Sequence, residues 1–258
     1  MRTRLICLLA LIAMAPLPVA GQRIFEQPPP RFEITPFFGW RLTYEQTREQ
    51  LIFDNQEATL VFDEVDVSGA PLYGLEGLFN LWGPWSLVGS LGYVSGSDAT
   101  VTRETEDELV QFSVAAGTMW LLRANAQFRF PENEEFEDQR LHTPEAFIFA
   151  GPTWIRTDPA ELQGPNVSGL DYYTAPIDQL AVNIGIRATS GVPWWENVGF
   201  HLVAEDFITF WNDTALIERD ERLFRESGFA NLRTDINTRR SHIFAVRAGL
   251  SWRFGAVR

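Results

Sequence analysis

Four charged side chains stand where the surrounding residues alternate between apolar and polar: Glu76, Arg123, Glu205 and Arg247. In each stretch the charge falls on the polar face of a strand of period two, so all four point into the same compartment. Two acids and two arginines in a narrow, poorly hydrated space have to pair, because an unpaired buried charge is very costly. A fixed pairing of this kind would fill the compartment. Arg129, Arg187 and Arg253 lie on the same face and are expected to cluster toward the end from which the chain starts.

A second set of residues has the types needed for hydrolysis. His201 and Glu205 share a face of one strand, and Ser241 and His242 open the last one. Acyl transfer needs nucleophile, base and orienting acid within hydrogen-bond reach. His242 falls on the apolar face of its strand and His201 near the opposite end of the structure, so no catalytic residue is assigned. The acidic stretches Asp63, Glu64, Asp66 and Glu104, Glu106, Asp107, Glu108 offer oxygen ligands suited to Ca²⁺, without the spaced glycine of a calcium loop. They read as solvated loops, bridged by divalent ions to neighbouring lipid, and no metal or cofactor site is assigned. Asn166-Val-Ser168 matches a glycosylation sequon that carries no functional weight here.

The elements that must position these side chains are strands. The last one is the clearest: Phe244, Val246, Ala248, Leu250, Trp252 and Phe254 alternate with Ile243, Ala245, Arg247, Gly249, Ser251 and Arg253. One face is continuously apolar and ends in aromatics; the other is small, polar and cationic. That division suits a wall between hydrocarbon and a polar interior. The same alternation predicts strands at Ile34–Tyr44, Tyr73–Leu81, Trp85–Ser95, Phe112–Phe130, Phe147–Arg156, Gln179–Thr189, Val198–Trp211 and Ser241–Phe254. Pro152 blurs the register of the fifth. Long acidic or Gly/Pro-rich connections alternate with short ones such as Gly83-Pro84, and Thr59–Phe62 in the first long connection extends a hairpin. The connection at 131–145 departs from this rhythm, with about fifteen residues where a short turn is expected.

Composition narrows the class. Arg2 and Arg4, the apolar run Leu5–Val19 and small residues at Ala20 and Gly21 form a cleavable signal peptide, residues 1–21. A Pro-rich lead-in, 22–31, precedes the strand region 32–254, and a tail of 255–258 follows it. Cys7 is the only cysteine, so disulfides, thiolate metal sites and cysteine nucleophiles are excluded after cleavage. There is no lysine; the 19 arginines after residue 21 stand against 34 acids, a net charge of −15 that argues against nucleic-acid binding. No stretch beyond the leader holds the ~20 consecutive apolar residues of a membrane helix.

A soluble, lipocalin-like barrel would turn the apolar faces inward around a ligand. Eight strands leave too little room for Phe244, Leu250, Trp252, Phe254 and their counterparts. The faces rich in Gly, Ser, Ala and Asn fit a narrow lumen instead. An all-β, eight-stranded antiparallel up-and-down transmembrane β-barrel is therefore expected, with Trp40, Tyr44, Trp85, Tyr93, Trp120 and Trp252 at the membrane–water boundaries.

Residues 32–254 resemble the small eight-stranded outer-membrane proteins of Gram-negative bacteria, such as the transmembrane domain of outer membrane protein A and its OmpX- and OmpW-like relatives. The carriers are Ile34-Thr-Pro-Phe-Phe-Gly-Trp-Arg41 and Gly249-Leu-Ser-Trp-Arg-Phe254. The resemblance implies a monomer in the cell outer membrane, in contact with lipid and lipopolysaccharide. It also implies that the barrel-assembly machinery reads Leu250, Trp252 and Phe254, although here Gly255-Ala-Val-Arg258 follows the final aromatic. A structural or narrow-pore role follows from the same likeness, with a salt-bridged plug as the element that would open. Recognition by the long loops, as an adhesin or receptor-binding protein, is the alternative. A lipid A-modifying enzyme is disfavoured, since no His-x-Ser-Asn stretch like that of the deacylase barrels is present.

Overall fold

The structure is a computed structural model and describes residues 32–54, 57–81, 83–104, 109–130, 145–158, 161–163, 177–192, 195–210, 232–238 and 241–254, with short pieces between 217 and 225. The leader, the lead-in, the 131–144 connection and the tail lie outside the described residues, as do the sequon and Glu106, Asp107 and Glu108.

Eight antiparallel strands close into a barrel: β1 (Phe32–Arg41), β4 (Ala70–Asn80), β5 (Trp85–Val94), β8 (Met119–Arg129), β9 (Glu145–Thr157), β11 (Ile177–Val192), β12 (Trp195–Phe210) and β14 (His242–Phe254). β1 pairs with both β14 and β4, so no edge remains. The alternation read from sequence decides what each face meets. Phe38 is 62% exposed and Leu250 41% exposed on the outside, while Glu76 is 1% exposed inside. The lipocalin-like alternative is thereby excluded.

Aromatic residues gather on this outer face in two bands. Tyr73, Tyr93 and Trp120 form one across β4, β5 and β8, with ring centroids 5.2 and 4.8 Å apart. Trp85 with Phe128, at 5.1 Å, and Phe32 with Phe254, at 6.3 Å, belong to the other. Amphipathic and aromatic rings at two levels are what the two boundaries of a bilayer select.

Three prolines lie in barrel strands, Pro36, Pro71 and Pro152, and Pro36 and Pro152 are exposed on the outer face. Pro152 keeps β9 in unbroken register with β11, from Thr157↔Ile177 to Glu145↔Thr189. On its other side the ladder to β8 lapses between Arg123↔Thr153 and Ala126↔Ala150. A missing N–H removes ladder bonds without shifting the strand. Pro36 accompanies a similar lapse between β1 and β14. At the tight lower turn Gly83 adopts φ 54°, a conformation that only glycine enters without strain.

The described parts of the long connections include further strands. They fold into a second, six-stranded sheet: β2 (Tyr44–Asp54), β3 (Glu57–Val67), β6 (Ser97–Glu104), β7 (Leu109–Ala116), β10 (Glu161–Gln163) and β13 (Leu232–Thr238), in the order β10-β7-β6-β3-β2-β13. All four long connections contribute, and the order follows that of the barrel strands they join. We call the end of the barrel that carries this sheet the upper end.

Passing from barrel to sheet switches the parity of the buried face. In β1 the buried positions are odd (Thr35, Phe37, Arg41); in β2 they are even (Gln46, Arg48, Gln50). The switch occurs at Leu42–Thr43, outside both strands, and recurs at Ser68–Gly69, Ser95–Gly96 and Gly117–Thr118. Two expectations are corrected as a result. The long fourth strand is two, β7 and β8, with Gln111 and Ser113 now on the exposed side. Tyr44 does not sit at a membrane boundary: it packs against the interior apolar cluster, and the Arg41 guanidinium carbon stands 5.0 Å from its ring.

Candidate functional site in the lumen

The charges predicted to share the lumen do meet. Glu205 on β12 accepts hydrogen bonds from Arg123 Nη1 on β8 at 2.6 and 2.7 Å and from Arg247 Nε on β14 at 3.0 Å. Arg247 Nη2 also donates to Glu76 on β4 at 2.7 Å, so Arg247 links the two carboxylates. Asn183 Nδ2 donates to Glu205 at 3.3 Å, and Asn125 Nδ2 to Asn183 at 2.8 Å. The acids and arginines of this layer are almost wholly buried. Pairing of this kind is what makes buried charge tolerable.

Arg187 is a correction. Expected among arginines at the chain-start end, it forms an ion pair with Glu76 and belongs to the central layer. The cause is strand stagger. Arg187 lies opposite Val203, and Val203 opposite Arg247, so Arg187 and Arg247 share one hydrogen-bonded row. In a tilted barrel such rows run obliquely, and counting residues from strand ends misjudges height. Arg129 and Arg253 stay lower, held by Glu145 at 3.4 Å and Glu33 at 3.6 Å.

Directly above the charges lies an apolar layer. Phe37, Leu72, Val94, Met119, Leu121, Ile155, Phe207 and Ile243 are all buried against one another. Phe37 joins the layers: its ring centroid is 4.6 Å from the Arg247 guanidinium carbon and 5.2 Å from that of Arg123. The negative face of an aromatic ring favours that approach. The lumen is thus closed twice, by ion pairs and by hydrocarbon.

The candidate hydrolytic residues do not assemble. His201 is buried with its Nε2 3.7 Å from Glu33, while Glu205 is occupied by its arginines. Ser241 is tied by its backbone to Thr209, whose N–H donates to the Ser241 carbonyl at 3.0 Å. His242 Nδ1 lies 2.8 Å from Asp206 on the outer face of the barrel.

The acidic loop residues separate. Asp63, expected among solvated acids, is 1% exposed and accepts from Arg48 at 2.7 Å and Arg103 at 2.8 and 2.9 Å. The parity of β3 turns it inward. Glu64 and Asp66 face outward with Glu45, their ligand-capable oxygens within 4.8 Å of one another, and Glu104 is also exposed. Sequence reasoning missed Arg48 and Arg103 as partners of Asp63. The signal was present as alternation in 44–67, but the pairing of β3 with β6, two separate loops, is a long-range contact.

No protein-family model and no curated protein matches this sequence. Solved structures do. The outer membrane protein OprG from Pseudomonas aeruginosa matches over 89% of this chain and 98% of its own, at 9% identity and a TM-score of 0.50. Neisserial surface protein A matches over 88% and 100%, at 7% identity and a TM-score of 0.39. Ail, the attachment invasion locus protein of Yersinia pestis, solved with the heparin analogue sucrose octasulfate, matches over 86% and 99%, at 11% identity and 0.37. With its closed eight-stranded antiparallel barrel, its outward apolar belt and its match to OprG, the chain has the fold of the small eight-stranded outer-membrane β-barrels.

Proposed function

We propose that this is a non-enzymatic bacterial outer-membrane protein, exported by a cleavable signal peptide, whose barrel is shut at rest. It lends structural support and admits only limited passage of small solutes. Its surroundings are outer-membrane lipid and lipopolysaccharide, and the barrel-assembly machinery reads Leu250, Trp252 and Phe254, which lie on the outer face. The observation that carries this reading is the double closure: a buried Glu76–Arg247–Glu205–Arg123 network under a packed apolar layer. Eight-stranded lumens are generally filled in this way. In planar bilayers the purified, detergent-folded protein is expected to be silent, with openings when Glu76→Ala and Arg247→Ala break the network. Large steady conductance of the unaltered protein would refute a shut barrel; silence of both variants would leave support as the sole role.

A second reading is favoured by the six-stranded sheet. A sheet to which all four long loops contribute strands suits recognition better than four separate loops do. Shortening the β2–β3 and β6–β7 hairpins should then abolish surface attachment while the heat-modifiable gel shift of a folded barrel persists. Unchanged attachment in that strain would remove this reading.

A further inference from the structure

The charges on the inner wall of the barrel do not balance. Among the described residues, Arg41, Arg123, Arg187, Arg247 and Arg253 stand there against Glu33, Glu76 and Glu205; Arg129 and Glu145 pair with each other. Five arginines against three glutamates leaves two positive charges in excess, inside a chain whose formal net charge is −13. The chain is acidic, but among the described residues the inner wall of its barrel carries an excess of arginine.

The excess is distributed along the axis. Arg253 faces Glu33 across the β1–β14 ladder at the lower end. Arg187, Arg247 and Arg123 share Glu76 and Glu205 in the central layer. Arg41 stands beyond the apolar layer, opposite Ala70 and Ala245 at the top of β1. It is 3% exposed and donates to the Ser68 carbonyl and, at 2.8 Å, to Ser97 Oγ. Among the described residues no carboxylate reaches it within ion-pair distance, and Asp63, buried in the sheet above, is shared by two arginines, Arg48 and Arg103, so guanidinium groups flank the apolar layer on both sides.

We propose that the conduit, when open, passes small anions and holds back cations. This rests on the reading above that the closure can open. Arginine offers a planar fork that exchanges one anion for another, so a passing chloride or carboxylate could be handed from Arg253 through the central arginines to Arg41. Low-dielectric walls focus the surplus positive field along a narrow axis, and rings of arginine select anions in wider pores for the same reason.

The test opens both closures and keeps the surplus of two positive charges, because one charge of each sign is removed. Leu72→Ala, Leu121→Ala and Phe207→Ala are combined with Glu76→Ala and Arg247→Ala in the full chain, folding is checked by the heat-modifiable gel shift, and reversal potentials are read in a KCl gradient. Should that variant fail to fold, Phe207→Ala with Glu76→Ala and Arg247→Ala serves. Chloride is expected to permeate roughly five-fold over potassium. Adding Arg41→Glu removes both surplus charges and should bring the ratio to about one. A conducting variant that is unselective or prefers potassium overturns the anion assignment alone. A folded variant that does not conduct overturns the conduit as well.

Discussion

Replacing Glu205 by alanine should be the most damaging change a single carboxylate in this barrel can undergo. Its two oxygens receive both contacts from Arg123 Nη1, at 2.6 and 2.7 Å, one from Arg247 Nε at 3.0 Å and one from Asn183 Nδ2 at 3.3 Å. Removing one partner of a buried pair costs ~3–5 kcal/mol, because the other charge is left uncompensated. Here Arg123 loses its only carboxylate and Arg247 one of two, which places the expected loss near the top of that range, about 4–5 kcal/mol. Glu145→Ala is the internal comparison. Its carboxylate is 27% exposed and meets Arg129 only at 3.4 Å, so its loss should stay below about 1 kcal/mol. Urea titration of the vesicle-folded protein, followed by tryptophan fluorescence and the gel shift, measures both. The paired replacement Glu205→Leu with Arg123→Met should recover most of the loss, since it removes a charge of each sign. If Glu205→Ala were no worse than Glu145→Ala, the claim that the central layer is dry and mutually compensated would be wrong.

Two further outcomes are expected. Gly151→Ala places a Cβ 2.1 Å from the Ala124 carbonyl and 2.7 Å from Asn125 Cα, beside the lapse that Pro152 leaves in the ladder; a loss of about 3 kcal/mol or more, read as a reduced folded fraction on the gel, should follow. Leu250→Arg puts a charge on the lipid-facing side of β14 and should destabilise the vesicle-folded barrel by about 2–4 kcal/mol if Leu250 lies near mid-bilayer, whereas an unchanged urea midpoint would argue that no hydrocarbon touches that face.

The amino-acid sequence by itself determined which way each barrel side chain points. Alternation has a period of two, and strand geometry has the same period, so Phe244 against Ile243, or Leu75 against Glu76, is settled by parity within a strand. The inward sense of Glu76, Arg123, Glu205 and Arg247 followed from that alone. So did the closed, outward-apolar architecture, because the large residues would not fit inside eight strands.

Only the tertiary structure decided height and partnership. Arg187 joins Glu76 because stagger around the barrel aligns it with Arg247, a relation between strands that no single strand contains. The extra sheet had the same obstacle: β3 meets β6, and β2 meets β13, across loops far apart in the chain. Local pattern could show that 44–67 alternates; it could not show that the parity flips at Leu42–Thr43 and carries Tyr44 and Asp63 inward. Faces are a local property of the backbone, whereas the charges that meet across the lumen are fixed by how strands are stacked around a closed ring.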